Sequence, residues 1–493
     1  MDIRMSTSSA IILLLCSSLT ITMCMSCEDF LGDVTPGSSL PLYSGLDNPD
    51  ALETFLIGTY ALLASGADEL MVGLTDIATE DTGGNCGAGT GWVEFCQNDI
   101  IPDNGILVGM WRFSYEVINQ TNIIIESVDQ LLSQGGIDPA RAEQLLGEAY
   151  FLRGVVYFEL TRVFALPYHC ESPLGVPILT VGVDNTNKIT LPARDSVQSV
   201  YAQSINDLTE ALERLPKTKG AADRASYYAV VAYLAEIAFQ KAVTPAEYTS
   251  VADMAYIIIE SGQYDLVTPA DVYFRNKGTS EEIWSVKHSG EESGSLYTMT
   301  QSNRAQQFGL SNDLLDRAYG KIITDAQWIG LRANEWLADD QRYSILTNND
   351  TFELKSTKYS DRFGGDNLPA MRYAEIILMY AECLARLDQM DEAITYLNMI
   401  RERAIVVTDS AGNIVSDDAI LFSTDDFANK DELIEAIILE RQVELIMEGN
   451  RFHDLIRLRR PVNGLDYKHA KLRWPIPQRE IDANPNLMQN PDY

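Results

Sequence analysis

Basic side chains are scarce: 37 lysines and arginines stand against 71 aspartates and glutamates in 493 residues, a formal net charge of -34. Such a balance repels nucleic-acid phosphates and anionic lipid surfaces, so no nucleic-acid partner is expected; it equally serves simple solubility. Histidine is rarer still. His169, His288, His453 and His469 never fall at metal-ligand spacing, so neither zinc chemistry nor a metal cofactor is expected. No G-x-S-x-G elbow occurs, and the glycine-rich stretch Gly84 to Gly91 lacks both G-x-G-x-x-G and a P-loop lysine, which argues for a loop rather than a phosphate cradle. Acidic clusters such as Glu291-Glu292 do not follow EF-hand spacing. No stretch reaches 18 consecutive apolar residues, the length a membrane-spanning helix needs. Only four cysteines follow residue 27, namely Cys86, Cys96, Cys170 and Cys383, too few for a disulfide scaffold. Cys86 and Cys96 flank one glycine-rich loop and are compatible with a staple or with two thiols.

What is present is a folded protein with an export signal. Hydrophobic residues make up 46% and aromatics 9%, which argues against wholesale disorder. Residues 1–26 read as a signal peptide, with a short apolar segment from Ala10 to Leu15. Met25-Ser26-Cys27 then places a small residue directly before a cysteine, as at a lipoprotein cleavage site. Lipid on Cys27 would be the membrane attachment.

The clearest periodicity lies in Pro369 to Arg403. Ile376, Met379, Tyr380, Cys383, Leu384 and Leu387 share one helical face, and Pro369 suits a helix start. Asp388-Gln389-Met390 forms the turn, Asp391 is placed to cap a second helix, and Ala393, Leu397, Ile400 and Ala404 form its inner face. Further helices are expected over 52–63, 111–128, 141–164, 199–215, 226–241, 247–259 and 433–448, with a short strand over 281–286. The fold class is therefore mainly α, a helical-hairpin scaffold. Region 27–270 is a first helical body containing the loop 78–106, region 271–366 is an irregular subdomain, and region 367–493 is a second helical body with a proline- and asparagine-rich tail.

The chemistry is expected in loops. Flat aromatics bind the apolar faces of sugars while carboxylates and amides fix the hydroxyls. Trp92 with Asp81 and Asn98, in the loop 78–106, is the first candidate ligand set; Tyr297, Trp328 and Trp336 are the second. Each tryptophan is equally at home in a core, and Trp111, Trp284 and Trp474 sit in segments that favour core packing. Adjacent carboxylates such as Glu281-Glu282 and Asp339-Asp340 diverge too far to act as a catalytic pair, although a pair from distant positions would leave a secreted glycoside hydrolase open. Arg451, Arg457, Arg459 and Arg460 are expected to pair with surplus acids rather than to bind an anion.

Several stretches together resemble the SusD/RagB family of Bacteroidetes. They are Cys27-Glu28-Asp29-Phe30-Leu31, GEAYFLRGVVYFELTRVFA from Gly147, SEEIWSV from Ser280, DDQRY from Asp339, RYAEIILMYAECLARL from Arg372, LERQVELIMEGNRFHDLIR from Leu439 and PIPQREIDANPNLMQNPDY from Pro475. His453 departs from the expected aromatic and Asp492 from the expected glycine. The resemblance implies four tetratricopeptide-like helical pairs and a loop-rich subdomain that holds the ligand face. It also implies an outer-membrane lipoprotein, non-enzymatic, displayed outward by Glu28 and Asp29, that captures a glycan, or in some members a peptide. The expected partner is a SusC-like TonB-dependent barrel, over which the protein acts as a lid.

Overall fold

Most of the long helices begin on a polar side chain that satisfies otherwise unpaired backbone N–H groups. The computed structural model describes residues 46–82, 90–170, 174–183, 189–268, 270, 272–275, 277–288, 340–342, 358–361, 365–405, 407–408, 414–415 and 421–493. Helix α1 spans Pro49–Ala67 and runs through a π-helical turn, Asp68–Gly73, into α2, Leu74–Ile77. After the short α3, Thr90–Cys96, Asn104 caps α4, Gly105–Ser133, by accepting from the N–H groups of Ile106 and Leu107. Asp138 caps α5, Pro139–Phe164, with proline at the first helical position where no N–H is needed. Ser196 caps α6, Val197–Arg214, and Ser226 caps α7, Tyr227–Lys241. Thr244 and Glu247 form a capping box at the start of α8, Pro245–Glu260, and α9 is the single turn Val272–Arg275.

The helical pattern breaks where two strands pair antiparallel, β1, Glu282–Val286, with β2, Leu368–Arg372, in irregular register. Helices α10, Tyr373–Arg386, and α11, Met390–Ala404, follow, then the two-residue strands β3, Val407–Thr408, and β4, Ile414–Val415. Helices α12, Lys430–Glu444, α13, Asn450–Arg457, and α14, Gln478–Ala483, complete the described elements. Neighbours in sequence are neighbours in space. Helix α1 packs on α4, α4 on α5, α5 on α6, α7 on α8, and α10 on α8, α11 and α12.

Two expectations for the 369–403 segment need correction. Pro369 is not a helix start: it lies in β2 opposite Ser285, because β1 claims this backbone before the helix begins at Tyr373. Asp391 does not cap α11, whose N-cap is Gln389 without a side-chain bond; the Asp391 carboxylate instead accepts from the Thr424 hydroxyl at 3.1 Å. The apolar faces are as expected, and α10 goes further, since Tyr373 through Ala385 are all buried. A helix enclosed on all sides must find partners for its charges.

Close packing of α5 on α6 rests on glycine. A Cβ added at Gly154 would stand 3.0 Å from the Ser204 carbonyl oxygen and 3.0 Å from Leu208 Cγ. The Ser204 hydroxyl in turn donates to the Gly154 carbonyl at 2.7 Å. Trp284 is fully buried edge-on to Phe151 and Tyr233, and Trp111 and Trp474 both meet Phe164, as their sequence contexts suggest. The tail folds back over the body. The Asn490 amide donates to the carbonyls of Phe164 and Trp474, and Ile476 is fully buried.

Candidate functional site

The segment 78–106 is only partly irregular. It contains α3, which carries Trp92, and its flanks are fastened to the carboxyl-terminal helices by polar contacts that bridge more than 360 residues of sequence. Asp76 accepts from the Gly449 N–H at 2.8 Å, Asp81 from the Gln442 amide at 2.6 Å, and Glu80 from Arg451 at 2.7 Å. Asn98 and Asn463 both donate to the Ala78 carbonyl, at 3.2 and 2.8 Å. Asn98 sits at φ 51°, a left-handed conformation that asparagine tolerates better than most residues. On the other side, the Asn104 amide donates to Gly91 O at 2.9 Å and to the Glu94 carboxylate at 2.8 Å while its oxygen caps α4. Phe95 lies edge-on to Trp474 with centroids 5.0 Å apart. Cys96 is disulfide-bonded, whereas Cys170 and Cys383 are free; Cys86 lies outside the described residues.

These contacts separate the first candidate set. Asp81 and Asn98 are 3% and 2% exposed and bind protein groups, so both position the segment. Burial is what the sequence could not supply, since aspartate and asparagine in a glycine-rich loop read as solvated. Trp92 is half-buried, packed against the core from one side. Gln97, Asp99, Ile101 and Asp103 are exposed on the same stretch. Tyr297, Trp328, Trp336 and Cys27 lie outside the described residues.

The scaffold also contains a network of buried charges. Arg342, Lys358, Arg372, Arg401 and Arg403 interlock with Glu281, Asp340, Glu440, Glu444 and Glu448, five cations with five carboxylates, all buried. Arg372 alone reaches Glu281 at 2.6 Å, Glu444 at 2.7 Å and Glu448 at 2.6 Å. Burial alone would raise the Glu444 carboxyl, but the charges of Arg403, Arg372 and Arg342 hold it well below the usual carboxylate range. A second cluster serves α10. Glu375 accepts from Arg441 at 3.0 Å, and Glu382 from Arg386 at 2.8 Å and Arg457 at 2.7 Å. Burial pushes Glu375 up to about 7 against the pull of Arg441, and pushes Asp76 up to about 7 against its bond from Gly449. Arg451, Arg457 and Arg460 thus pair with acids, as expected, whereas Arg459, an exposed residue, forms no ion pair among the described residues. Buried ion pairs of this kind register one element against another more than they add net stability.

The network joins Glu281, just before β1, to β2, α11 and α12, and takes in residues that follow the stretch 289–339. Asp340 and Arg342, immediately after that stretch, are drawn into it, with Arg342 bonded to Glu440 at 2.5 Å. The carboxylates Glu440, Glu444 and Glu448, four residues apart along α12 and the turn after it, were the sequence signal for this cluster.

The described residues thus form a helical-hairpin scaffold with an aromatic segment pinned to it and a buried charge network that takes in residues on both sides of the stretch 289–339. Residues 29–239 match a family model described as "Starch-binding associating with outer membrane", and residues 316–471 match the model of the SusD family. The chain belongs to the SusD/RagB family. It is 26% identical over 447 residues to the SusD-like protein P38 of Formosa agariphila, covering 81% of this chain and 82% of that protein. A SusD superfamily protein from Bacteroides thetaiotaomicron superposes with a TM-score of 0.69 at 24% identity, over 90% of this chain and 100% of the other. A SusD-like carbohydrate-binding protein from Bacteroides vulgatus gives a TM-score of 0.62 at 20% identity, with 84% of each chain covered. Among the described residues, no helix is long and apolar enough to cross a membrane.

Proposed function

We propose that the protein is a lipoprotein of the outer membrane that captures a glycan at the cell surface and passes it, without cleaving it, to a partner TonB-dependent barrel. The observation that carries the reading is Trp92: a half-buried indole on a short helix whose flanks are tied to the scaffold by Asn104, Asp81 and Asn98. A rigidly held aromatic plane meets a sugar ring without the entropic cost of ordering a loop. Exposed Gln97 on the same stretch supplies polar atoms of the kind that orient hydroxyls, while neighbouring Asp99 is held by Lys471 at 2.8 Å. Family membership supports the carbohydrate assignment, as does the starch-binding character of the family model that residues 29–239 match. The disulfide at Cys96 supports a life outside the reducing cytosol. Lipid on Cys27 would hold the chain at the membrane, and Tyr297, Trp328 and Trp336 would complete the ligand face.

Native electrophoresis through gels impregnated with a panel of polysaccharides tests this reading, with peptides as competitors. Retardation by one polysaccharide, lost on substitution of Trp92, Trp328 and Trp336 by alanine, is expected. Persistence of retardation in those variants contradicts the site, and release of reducing ends contradicts the absence of catalysis. Copurification of a barrel from detergent-solubilised membranes tests the transport partner; a protein recovered alone would contradict it.

A further inference from the structure

A cleft remote in sequence from the glycan face opens between the end of α5, the loop through His169, and the stretch from α13 to Arg473. Its lining is chemically unlike the rest of the chain. In a protein with nearly twice as many acids as bases, the described residues that line it include four arginines and three histidines and not one carboxylate. Two of the arginines are already engaged: Arg162 with Glu159 and Glu236, and Arg457 with Glu382 and Asp454. The other two form no ion pair among the described residues, although the Asp492 carboxylate acts on Arg473 from outside the lining. Arg459 is exposed at the mouth, held at φ 55°, with no ion-pair partner among the described residues. Arg473 buries its Nε with no hydrogen-bond partner among them. Deeper in, His453 is 3% exposed and its Nε2 is buried without a partner. This is the position where the family resemblance leads one to expect an aromatic.

A buried polar atom left unsatisfied is costly unless something outside the protein satisfies it. Here Arg459, Arg473 and His453 line one space of about 40 Å³, room for roughly three water-sized groups. That is the size of a carboxylate or sulfate head rather than of a whole sugar ring. Burial and Arg162 hold His453 well below its usual range, so its imidazole is neutral and one ring nitrogen is available to donate to an oxygen. Tyr168 and Tyr467 add aromatic walls.

We infer that this cleft is an oxyanion site, in which Arg459 and Arg473 supply the charge and His453 a neutral hydrogen bond to a carboxylate, sulfate or phosphate group. The shared chemistry has two sources, a free inorganic oxyanion or the acidic group of a uronic acid. The inference does not rest on the glycan reading, although Lys471 beside the cleft pairs with Asp99 of the 78–106 stretch.

Isothermal titration of the full chain with sodium sulfate, sodium phosphate and galacturonate, with galactose as the neutral control, tests the inference. Saturable one-site binding of at least one anion is expected, with galactose inert. Arg459→Gln and Arg473→Gln should each weaken it about tenfold or more, the worth of one charge-assisted hydrogen bond. His453→Phe, close in volume, should weaken it at unchanged melting temperature. Preference for galacturonate assigns the site to an acidic sugar and preference for sulfate or phosphate assigns it to an inorganic ion; both support an oxyanion site. No saturable binding by any anion, equal binding of galactose, or affinity unchanged in Arg459→Gln overturns it. Arg459 is exposed, so that variant keeps the test intact even where Arg473→Gln fails to fold.

Discussion

Replacing Glu382 by glutamine removes one charge from the centre of the molecule without changing its shape. Glu382 is 0% exposed and accepts from Arg386 Nε at 2.8 Å and from both Arg457 terminal nitrogens, at 2.8 and 2.7 Å. Burial alone would raise its carboxyl; the charge and hydrogen bonds of Arg457, then of Arg386, hold it instead at about 2, against an ordinary 4.5. That difference corresponds to about 3 kcal/mol in favour of the folded ionised form. The same size follows independently from breaking a buried pair and leaving a guanidinium uncompensated, about 3–5 kcal/mol. Because the folded value is depressed, the contribution is complete above about pH 4.5 and drains away as the pH falls toward 2. Urea denaturation at pH 7 should therefore show Glu382→Gln less stable by about 3 kcal/mol, and at pH 3 by only about 1.4 kcal/mol. A difference below 1 kcal/mol at pH 7, or one equally large at pH 3, would refute the reasoning.

Three further outcomes follow from the same geometry. Glu375 and Asp76 are displaced the opposite way, to about 7, so the fold favours their neutral forms; stability should rise as pH falls from about 7.5 to 5, and part of that rise should vanish in Glu375→Gln when unfolding is followed across that range. Gly154→Ala places a methyl 3.0 Å from the Ser204 carbonyl and should cost about 1–3 kcal/mol in urea titration, whereas Gly105→Ala, with nothing within 4 Å, should not. Reducing the disulfide at Cys96 should speed proteolysis within 78–106 while leaving the helical circular dichroism signal unchanged, because α4, α5 and their neighbours do not depend on it.

Helices were legible where a polar cap preceded an apolar stripe, as at Ser196, Ser226 and Thr244, because both signals are local. Pro369 misled because strand pairing with residues more than 80 positions earlier is not local, and a proline reads as a helix start only when nothing pairs with its flanks. Within the candidate site, Trp92 lies half-buried on a held segment. Asp81 and Asn98 are the instructive contrast, since their partners Gln442 and Ala78 belong to contacts set by tertiary packing. The oxyanion cleft was hidden for a similar reason. Arg459 and Arg473 read as two more charges in a mixed sequence, and only the fold reveals that they line one cleft whose described lining holds no carboxylate.

The central claim is that this chain binds a glycan through Trp92 without turning it over. Migration of the full chain and of Trp92→Ala through native gels containing a panel of polysaccharides tests it most directly, with reducing ends assayed in the same mixtures. Retardation by one polysaccharide that disappears in Trp92→Ala, with no reducing ends released, is the predicted result; unaltered retardation in that variant, equal mobility across the whole panel, or liberated reducing ends would contradict it.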